Sequence, residues 1–206
     1  TVMRFQIGGT TANNYIYFGD SGDTNAGMIK YNHASNYMSF QTNGTEQMRI
    51  SSTGAITKPN NPSAFVFEAD GPAGNNSVTS SSQDNVPIHF DHSSFSKGGM
   101  TISNSNSRFA IPVDGVYFVS GTIAGDCDTL SAGDGWEFHI LKNGVQVQNN
   151  YEPIFSVGSS VGQEYSVTVT RLMDLDAGDY IELALANIDS AQGTVNRGSF
   201  SAFLVG

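Results

Sequence analysis

Basic side chains are scarce in this chain. Nine Lys and Arg stand against nineteen Asp and Glu in 206 residues, a formal charge of −10. Phosphate backbones are bound by clusters of cations, so nucleic acid is excluded as a partner, and anionic membrane surfaces are excluded on the same ground. An acidic surface suits high salt, divalent cations and neutral or cationic sugars, and it also serves plain solubility. Cysteine is nearly absent: with Cys127 alone, no intrachain disulfide can form, and packing, a metal or oligomerisation must hold the fold. No apolar run is long enough to cross a bilayer and no signal-peptide pattern appears. Thr1 is not a natural start, which predicts a piece of a longer chain. Helix formers are thin, no apolar spacing persists at the helical period, and Gly, Ser, Thr and Asn fill the composition.

What is present is short alternating strands broken by tight turns. The last hundred residues hold an ordered series: Phe109-Ala-Ile-Pro-Val-Asp-Gly115-Val-Tyr117, Ile140-Leu-Lys-Asn143-Gly144, Leu175-Asp-Ala-Gly178-Asp179-Tyr-Ile181-Glu-Leu183 and Ser199-Phe200-Ser-Ala-Phe203-Leu204-Val205. A chain of about eight such strands buries itself most simply as a two-sheet jelly roll. The strands expected there are 64–69, 86–90, 99–103, 115–124, 136–141, 145–149, 165–174, 179–187 and 199–205. A boundary falls at Thr57-Lys-Pro59-Asn-Asn-Pro62, where two prolines and two asparagines favour extended, unpaired backbone. This gives a module over 1–57, a linker over 58–62 and a sandwich over 63–206. The first module reads as hairpins: Tyr15–Phe18 with Gly27–Tyr31, then Tyr37–Phe40 with Glu46–Ile50 across Asn43-Gly44. Asn-Gly is the strongest short hairpin signal, since both residues tolerate positive φ. Ribbons with so little apolar area do not fold alone, so the module is expected to pack on copies of itself.

Two resemblances follow from these residues. Gly27-Met-Ile-Lys-Tyr, Met38-Ser-Phe-Gln-Thr-Asn-Gly and Glu46-Gln-Met-Arg-Ile-Ser-Ser-Thr-Gly54 resemble the β-hairpin repeat of bacteriophage tail-fibre and tailspike shafts, over about residues 15–57. Residues 63–206 resemble the C1q and tumour necrosis factor-like knobs. Phe109, Gly115 and Tyr117 match the Phe-x5-Gly-x-Tyr spacing of the C1q family, and Ile140–Gly144, Leu-x-x-Gly-Asp-Tyr-Ile-x-Leu and the terminal Phe-x-x-Phe-Leu follow in order. The resemblances imply an all-β chain: a short hairpin shaft module, then a C1q/TNF-like jelly-roll sandwich, assembled as a homotrimer.

Alternating strand direction predicts two poles. Short turns at Asn143-Gly144 and Ala177-Gly178-Asp179 share the base, and longer connections at 125–135, 152–164 and 188–197 share the far pole. Long loops on a rigid scaffold are where binding concentrates. The receptor-binding candidates there are Asp126, Asp128, Asp134, Trp136, Tyr151, Glu152, Glu164, Asp189 and Arg197. Asp126, Asp128 and Asp134 crowd one loop and offer oxygen ligands suited to Ca²⁺, a site that the C1q resemblance also implies, though the spacing is not an EF-hand; a solvated acidic loop is the plain alternative. Trp136 beside carboxylates is a sugar-stacking arrangement or a buried indole. His89 and His92 have His-x-x-His spacing, which a strand turns to opposite faces, so zinc is not expected. His139 is expected to face outward or to sit in an interface. No nucleophile elbow, phosphate loop or other catalytic spacing occurs, so the chain is expected not to be an enzyme and to hold no cofactor beyond that calcium.

The resemblances together imply the distal part of a trimeric phage tail fibre, extracellular on the virion. Its partners would be further copies of itself, the upstream shaft and a host-surface polysaccharide or protein. A purely structural trimerisation cap, a bacterial surface adhesin of the same architecture and a depolymerase tailspike are the alternatives.

Overall fold

The computed structural model describes residues 4, 6, 8–68, 77–78, 85–103, 106–129, 135–147, 154–156, 163–188 and 192–205. Among them there is no helix, as the Ser/Thr/Asn/Gly-rich composition requires. Contacts divide the chain into two units, Thr1–Asn60 and Asn61–Gly206.

The first unit is an antiparallel meander in the order β1 (Asn13–Phe18), β2 (Gly27–Asn32), β3 (Tyr37–Thr42), β4 (Thr45–Ile50) and β5 (Ile56–Thr57). The β3–β4 connection is the Asn43-Gly44 turn, with φ of 48° and 69°, the mirror-image geometry that matches strand twist. The β1–β2 connection is tied by Asp20 Oδ1, which accepts from the Gly22 and Asp23 amides at 2.7 and 3.0 Å. The register puts Asn14, Tyr31, Met38, Ile50 and Ile56 in one cross-strand row, and Ile16, Ile29, Phe40 and Met48 in another row on the same face. The opposite face carries Tyr15, Lys30, Ser39 and Arg49 in one row. There the Arg49 guanidinium lies 4.0 Å from the Tyr37 ring centre and bonds Glu46 at 2.7 Å.

The second unit is a jelly-roll sandwich. Its strands are β6 (Ser63–Glu68), β7 (Ser77–Val78), β8 (Val86–Pro87), β9 (His92–Lys97), β10 (Thr101–Ser103), β11 (Arg108–Ala110), β12 (Gly115–Thr129), β13 (Gly135–Lys142), β14 (Val145–Gln146), β15 (Ile154–Ser156), β16 (Gln163–Leu175), β17 (Tyr180–Ile188) and β18 (Gln192–Leu204). One sheet runs β16-β12-β18-β6-β9 with β7 on β18. The other runs β10-β11-β17-β13-β14, with β15 on β13 and β8 on β17. From β11 to β18 the chain repeatedly leaves one sheet for the other, which is the wrapping that defines a jelly roll. The core between the sheets is fully apolar: Phe109 lies flat on Phe200 at 4.3 Å, and Tyr117, Val119, Ile123, Ile140, Ile181 and Leu183 close around them.

The base pole is locked by polar side chains. Asn143 takes positive φ, donates through Nδ2 to Asp179 Oδ1 at 2.7 Å and accepts from the Tyr180 amide at 2.9 Å. Asp179 also receives Lys142 Nζ at 2.6 Å and the Asp176 amide at 2.8 Å. Burial pushes the Asp179 carboxyl up, but the Lys142, Asp176 and Asn143 donors outweigh it and hold the carboxyl below its ordinary value. The Asn61 side chain donates to the Leu204 carbonyl at 2.8 Å at this same pole.

The strand edges differ from those read in the sequence. β9 was not anticipated: His92-Ser-Ser-Phe-Ser-Lys97 is exposed at every position, so no alternation marks it. Of the strand expected over 86–90, Val86–Pro87 forms the strand, and beyond it the Ile88 amide still donates to the Leu183 carbonyl at 2.9 Å. β12 and β18 run on well past the expected ends at 124 and 199, although Gly, Asp and Asn punctuate those stretches, and β16 begins two residues before the expected 165. A central strand with partners on both sides carries such residues through the ladder.

Candidate functional site

Those longer strands relocate several far-pole candidates. Asp126 and Asp128 lie on β12 rather than in a loop, and Trp136 on β13, Glu164 on β16 and Arg197 on β18 are likewise strand residues. The places of Asp126, Asp128, Glu164 and Arg197 were read as loops because turn-forming residues surround them, whereas Trp136 was expected at the start of the strand 136–141; pairing of β12 with both β16 and β18 holds Asp126 extended. The register sets Asp126 directly between Glu164 and Thr194, so the Asp126 and Glu164 backbones are neighbours. Arg197 pairs with Ala124 and is exposed beside a bulge at Ala124/Gly125. Trp136 pairs with Phe155 and Asn187. Asp134, Tyr151, Glu152 and Asp189 lie outside the described residues. The strand ends Thr129–Gln192 and Gly135–Ile188 meet at the pole opposite the Asn143 and Gly178 turns, which is where the sequence placed the longer connections.

Among the described residues, no three His, Cys, Asp or Glu side chains gather as a metal site. His89 precedes β9 and His92 opens it, with the His92 ring stacked on Phe67 at 5.0 Å and 3.2 Å from Asp91. His139 is buried rather than outward, with Nε2 3.0 Å from Glu137 Oε2, on the face of β13 opposite the core-facing Phe138 and Ile140. Nearby, Glu182 is buried and takes Arg108 Nε at 3.1 Å, while the Arg108 guanidinium lies 3.9 Å from the Tyr180 ring centre.

The sequence did not point to the outer face of the β16-β12-β18-β6-β9 sheet. One row across it is Leu172, Phe118, Phe203, Ser63 and Lys97; the next is Thr170, Ser120, Ser201, Phe65 and Phe95; the next is Thr168, Thr122, Ser199, Phe67 and His92. Phe118 and Phe203 touch at 5.3 Å, Phe65 stacks on Phe67 at 5.9 Å, and Phe95 closes on Phe65 at 6.3 Å. Two aromatic clusters are thus joined by a belt of uncharged hydroxyls. Leu172 is 63% exposed, and Phe95 and Phe203 are 44% exposed. A signal existed in the sequence: Ala64-Phe65-Val66-Phe67 and Phe203-Leu204-Val205 are unbroken apolar runs, and a strand apolar on both sides is one that covers both sides.

No protein-family model matches the chain, and no curated protein does. Solved structures do. The globular domain of zebrafish complement 1qA protein is 13% identical, covering 70% of this chain and 98% of that one at a TM-score of 0.47. The Eiger TNF from S. frugiperda is 13% identical, covering 70% of this chain and 94% of that one at a TM-score of 0.42.

Proposed function

We propose that the chain is the distal part of a homotrimeric bacteriophage tail fibre, extracellular on the virion, whose jelly-roll knob attaches to the host surface. The observation that carries the self-association is the outer face of the β16-β12-β18-β6-β9 sheet. Its Phe118, Phe203, Phe65, Phe95 and Leu172 form an apolar surface in a protein of formal charge −10. Exposed apolar surface of that kind marks an interaction site. The middle of the face is hydroxyl-bearing and uncharged, so copies can approach there without the repulsion that the net charge imposes elsewhere. The phage assignment is supported by the shaft-like sequence of residues 15–57, and its five-stranded meander is the kind of module a fibre repeats.

Attachment would run through the far pole. Three equivalent weak contacts per fibre, on several fibres, give avidity beyond any single contact. Arg197, exposed at that pole, and the Asp126–Glu164 pair of neighbouring strands are the described residues with which a polysaccharide or protein ligand would meet the knob. The chain acts by binding and carries out no catalysis. Calcium at Asp126, Asp128 and Asp134 would rigidify this pole. A second reading makes the knob a trimerisation cap with no receptor, which the apolar face also favours; a bacterial adhesin of the same build is separated from a phage fibre by genome context.

Size exclusion with light scattering tests the assembly: three times the 21.9 kDa chain mass is expected, and a monomer overturns the reading. Binding of the purified protein to host cells, before and after periodate treatment, tests attachment. Loss after periodate identifies a polysaccharide, loss only after protease identifies a protein, and no binding to any host leaves the cap. Equilibrium dialysis with calcium, paired with melting curves in chelator, tests the metal.

A further inference from the structure

The formal charge of −10 is not spread evenly. Residues 1–60 hold four Lys and Arg against three Asp and Glu, and residues 61–206 hold five against sixteen, so the first unit carries +1 and the second −11. An acidic polymer is therefore repelled by the second unit and not by the first. The face of the meander that carries Tyr15, Lys30, Ser39 and Arg49 gathers the groups that such a polymer requires. Tyr15 and Tyr17 stand on it with their ring centres 5.2 Å apart in a stack, 38% and 51% exposed. The Asn13 side chain donates to the Tyr15 hydroxyl at 2.9 Å and accepts from Asn32 Nδ2 at 2.8 Å, which holds the tyrosine in place. Lys30 pairs with Tyr15 across the strands, its Nζ 5.1 Å from the Tyr37 ring centre. Glu46, the one carboxylate in these rows, is held by Arg49 at 2.7 Å, which leaves the Lys30 charge unbalanced on this face. Ser39, between Lys30 and Arg49 in the same row, is fully buried. Neither its Oγ nor Arg49 Nε has a hydrogen-bond partner among the described residues. Buried donors are ordinarily satisfied, so two orphans side by side mark a place for an acceptor.

We infer that this face binds an acidic polysaccharide, a chain of uronic-acid sugars. The apolar C–H face of a sugar ring packs on an exposed tyrosine. Lys30 lies one strand away, about 4.8 Å across the sheet, so a carboxylate at the rim of that ring falls beside its ammonium group. The Ser39 hydroxyl and the Arg49 guanidinium stand next along the same row and offer donors to a following carboxylate. Charge and rings together set the class of ligand. A neutral sugar would leave Lys30 without a counter-charge. A single strand of nucleic acid could stack on the tyrosines, but one net positive charge is too few to hold a phosphate backbone. The site is separate from the far pole, and it stands whether or not that pole binds a ligand or the knobs self-associate.

The test is isothermal titration of the full chain with a short oligogalacturonate, beside a malto-oligosaccharide of the same length and an oligothymidylate of the same charge. The oligogalacturonate alone is expected to bind, and more weakly as sodium chloride is raised. Tyr15→Ser/Tyr17→Ser is expected to weaken it about tenfold and Lys30→Gln about fivefold. Lys58→Gln, at an exposed lysine outside the strands, is expected to leave it unchanged. A second measurement needs no variant: amide exchange of the wild type with bound oligogalacturonate is expected to slow in β1, β2 and β3 and to stay the same in β12 and β17. No binding of the oligogalacturonate, equal binding of the malto-oligosaccharide or tighter binding of the oligothymidylate overturns the inference. So does a folded tyrosine variant that binds as the wild type does, since attraction between charges is then all that remains. Slowing confined to the strands of the second unit assigns the sugar to the knob, which upholds attachment there and ends this inference alone.

Discussion

Leu183 of β17 lies directly over the α-carbon of Gly121 on the opposite sheet: a Cβ at Gly121 would stand 2.3 Å from Leu183 Cδ1 and 3.1 Å from its Cγ. The two sheets close to this distance because position 121 has no side chain. Gly121→Ala is therefore expected to force the sheets apart or push Leu183 off its rotamer, at about 1–3 kcal/mol. Leu183→Ala alone opens a cavity and costs about 2–5 kcal/mol. The double variant is expected to cost less than the sum, since the smaller residue makes room for the new methyl. Urea denaturation at one fixed chain concentration measures all three.

Tyr117 is buried completely, and its hydroxyl donates to the Val113 carbonyl at 2.9 Å. Burial pushes its pKa up, the Val113 bond opposes that in part, and the nearby Asp114 carboxylate adds to the rise. A phenol ionising later in the folded chain than in the unfolded one removes stability once pH passes about 10, because the unfolded state then holds fewer protons. Tyr117→Phe is expected to cost about 1 kcal/mol at neutral pH and to flatten the alkaline loss of stability. Melting curves from pH 8 to 11 check both.

Asp179 makes the opposite case. Its folded pKa is depressed, so its contribution is complete above the unfolded value near 4 and is lost as pH falls through the folded value. Asp179→Asn is expected to destabilise by about 1 kcal/mol at pH 7, through the Lys142 and Asp176 donors it no longer holds as a carboxylate. The gap to wild type closes under acid. Equal gaps at pH 7 and pH 2.5 would contradict the role given to this carboxylate.

Phe118→Ser with Phe203→Ser removes adjoining rings from the outer face without touching the core. Burial of a phenylalanine contributes about 1.5–3 kcal/mol, so the pair is expected to raise the concentration at which the assembly dissociates by at least about a hundredfold while strand content stays native. Light scattering over a dilution series, with circular dichroism, reads both quantities.

Gly44 has φ of 69° and open space around it, so Gly44→Ala meets no neighbour and carries only the backbone term, about 1 kcal/mol. The loss is expected to be local, seen as faster exchange at the β3–β4 hairpin ends, with the knob's melting unchanged.

The sequence by itself determined the class of fold and where the chain turns. Composition without helix formers, period-two apolar runs, and Asn-Gly at 43–44 and 143–144 act through local φ preferences and side-chain alternation, and these need no tertiary context. The tertiary structure alone decided how far strands extend and what lies opposite what. β12 carries Gly125 and Asp126 as strand because β16 and β18 flank it, a cooperative ladder that no window of sequence reports. Gly121 beneath Leu183, and five phenylalanines from four strands gathered on one face, join residues up to 138 positions apart. The physical reason is that local preferences set backbone direction, whereas register between distant strands is set by which faces can be covered together.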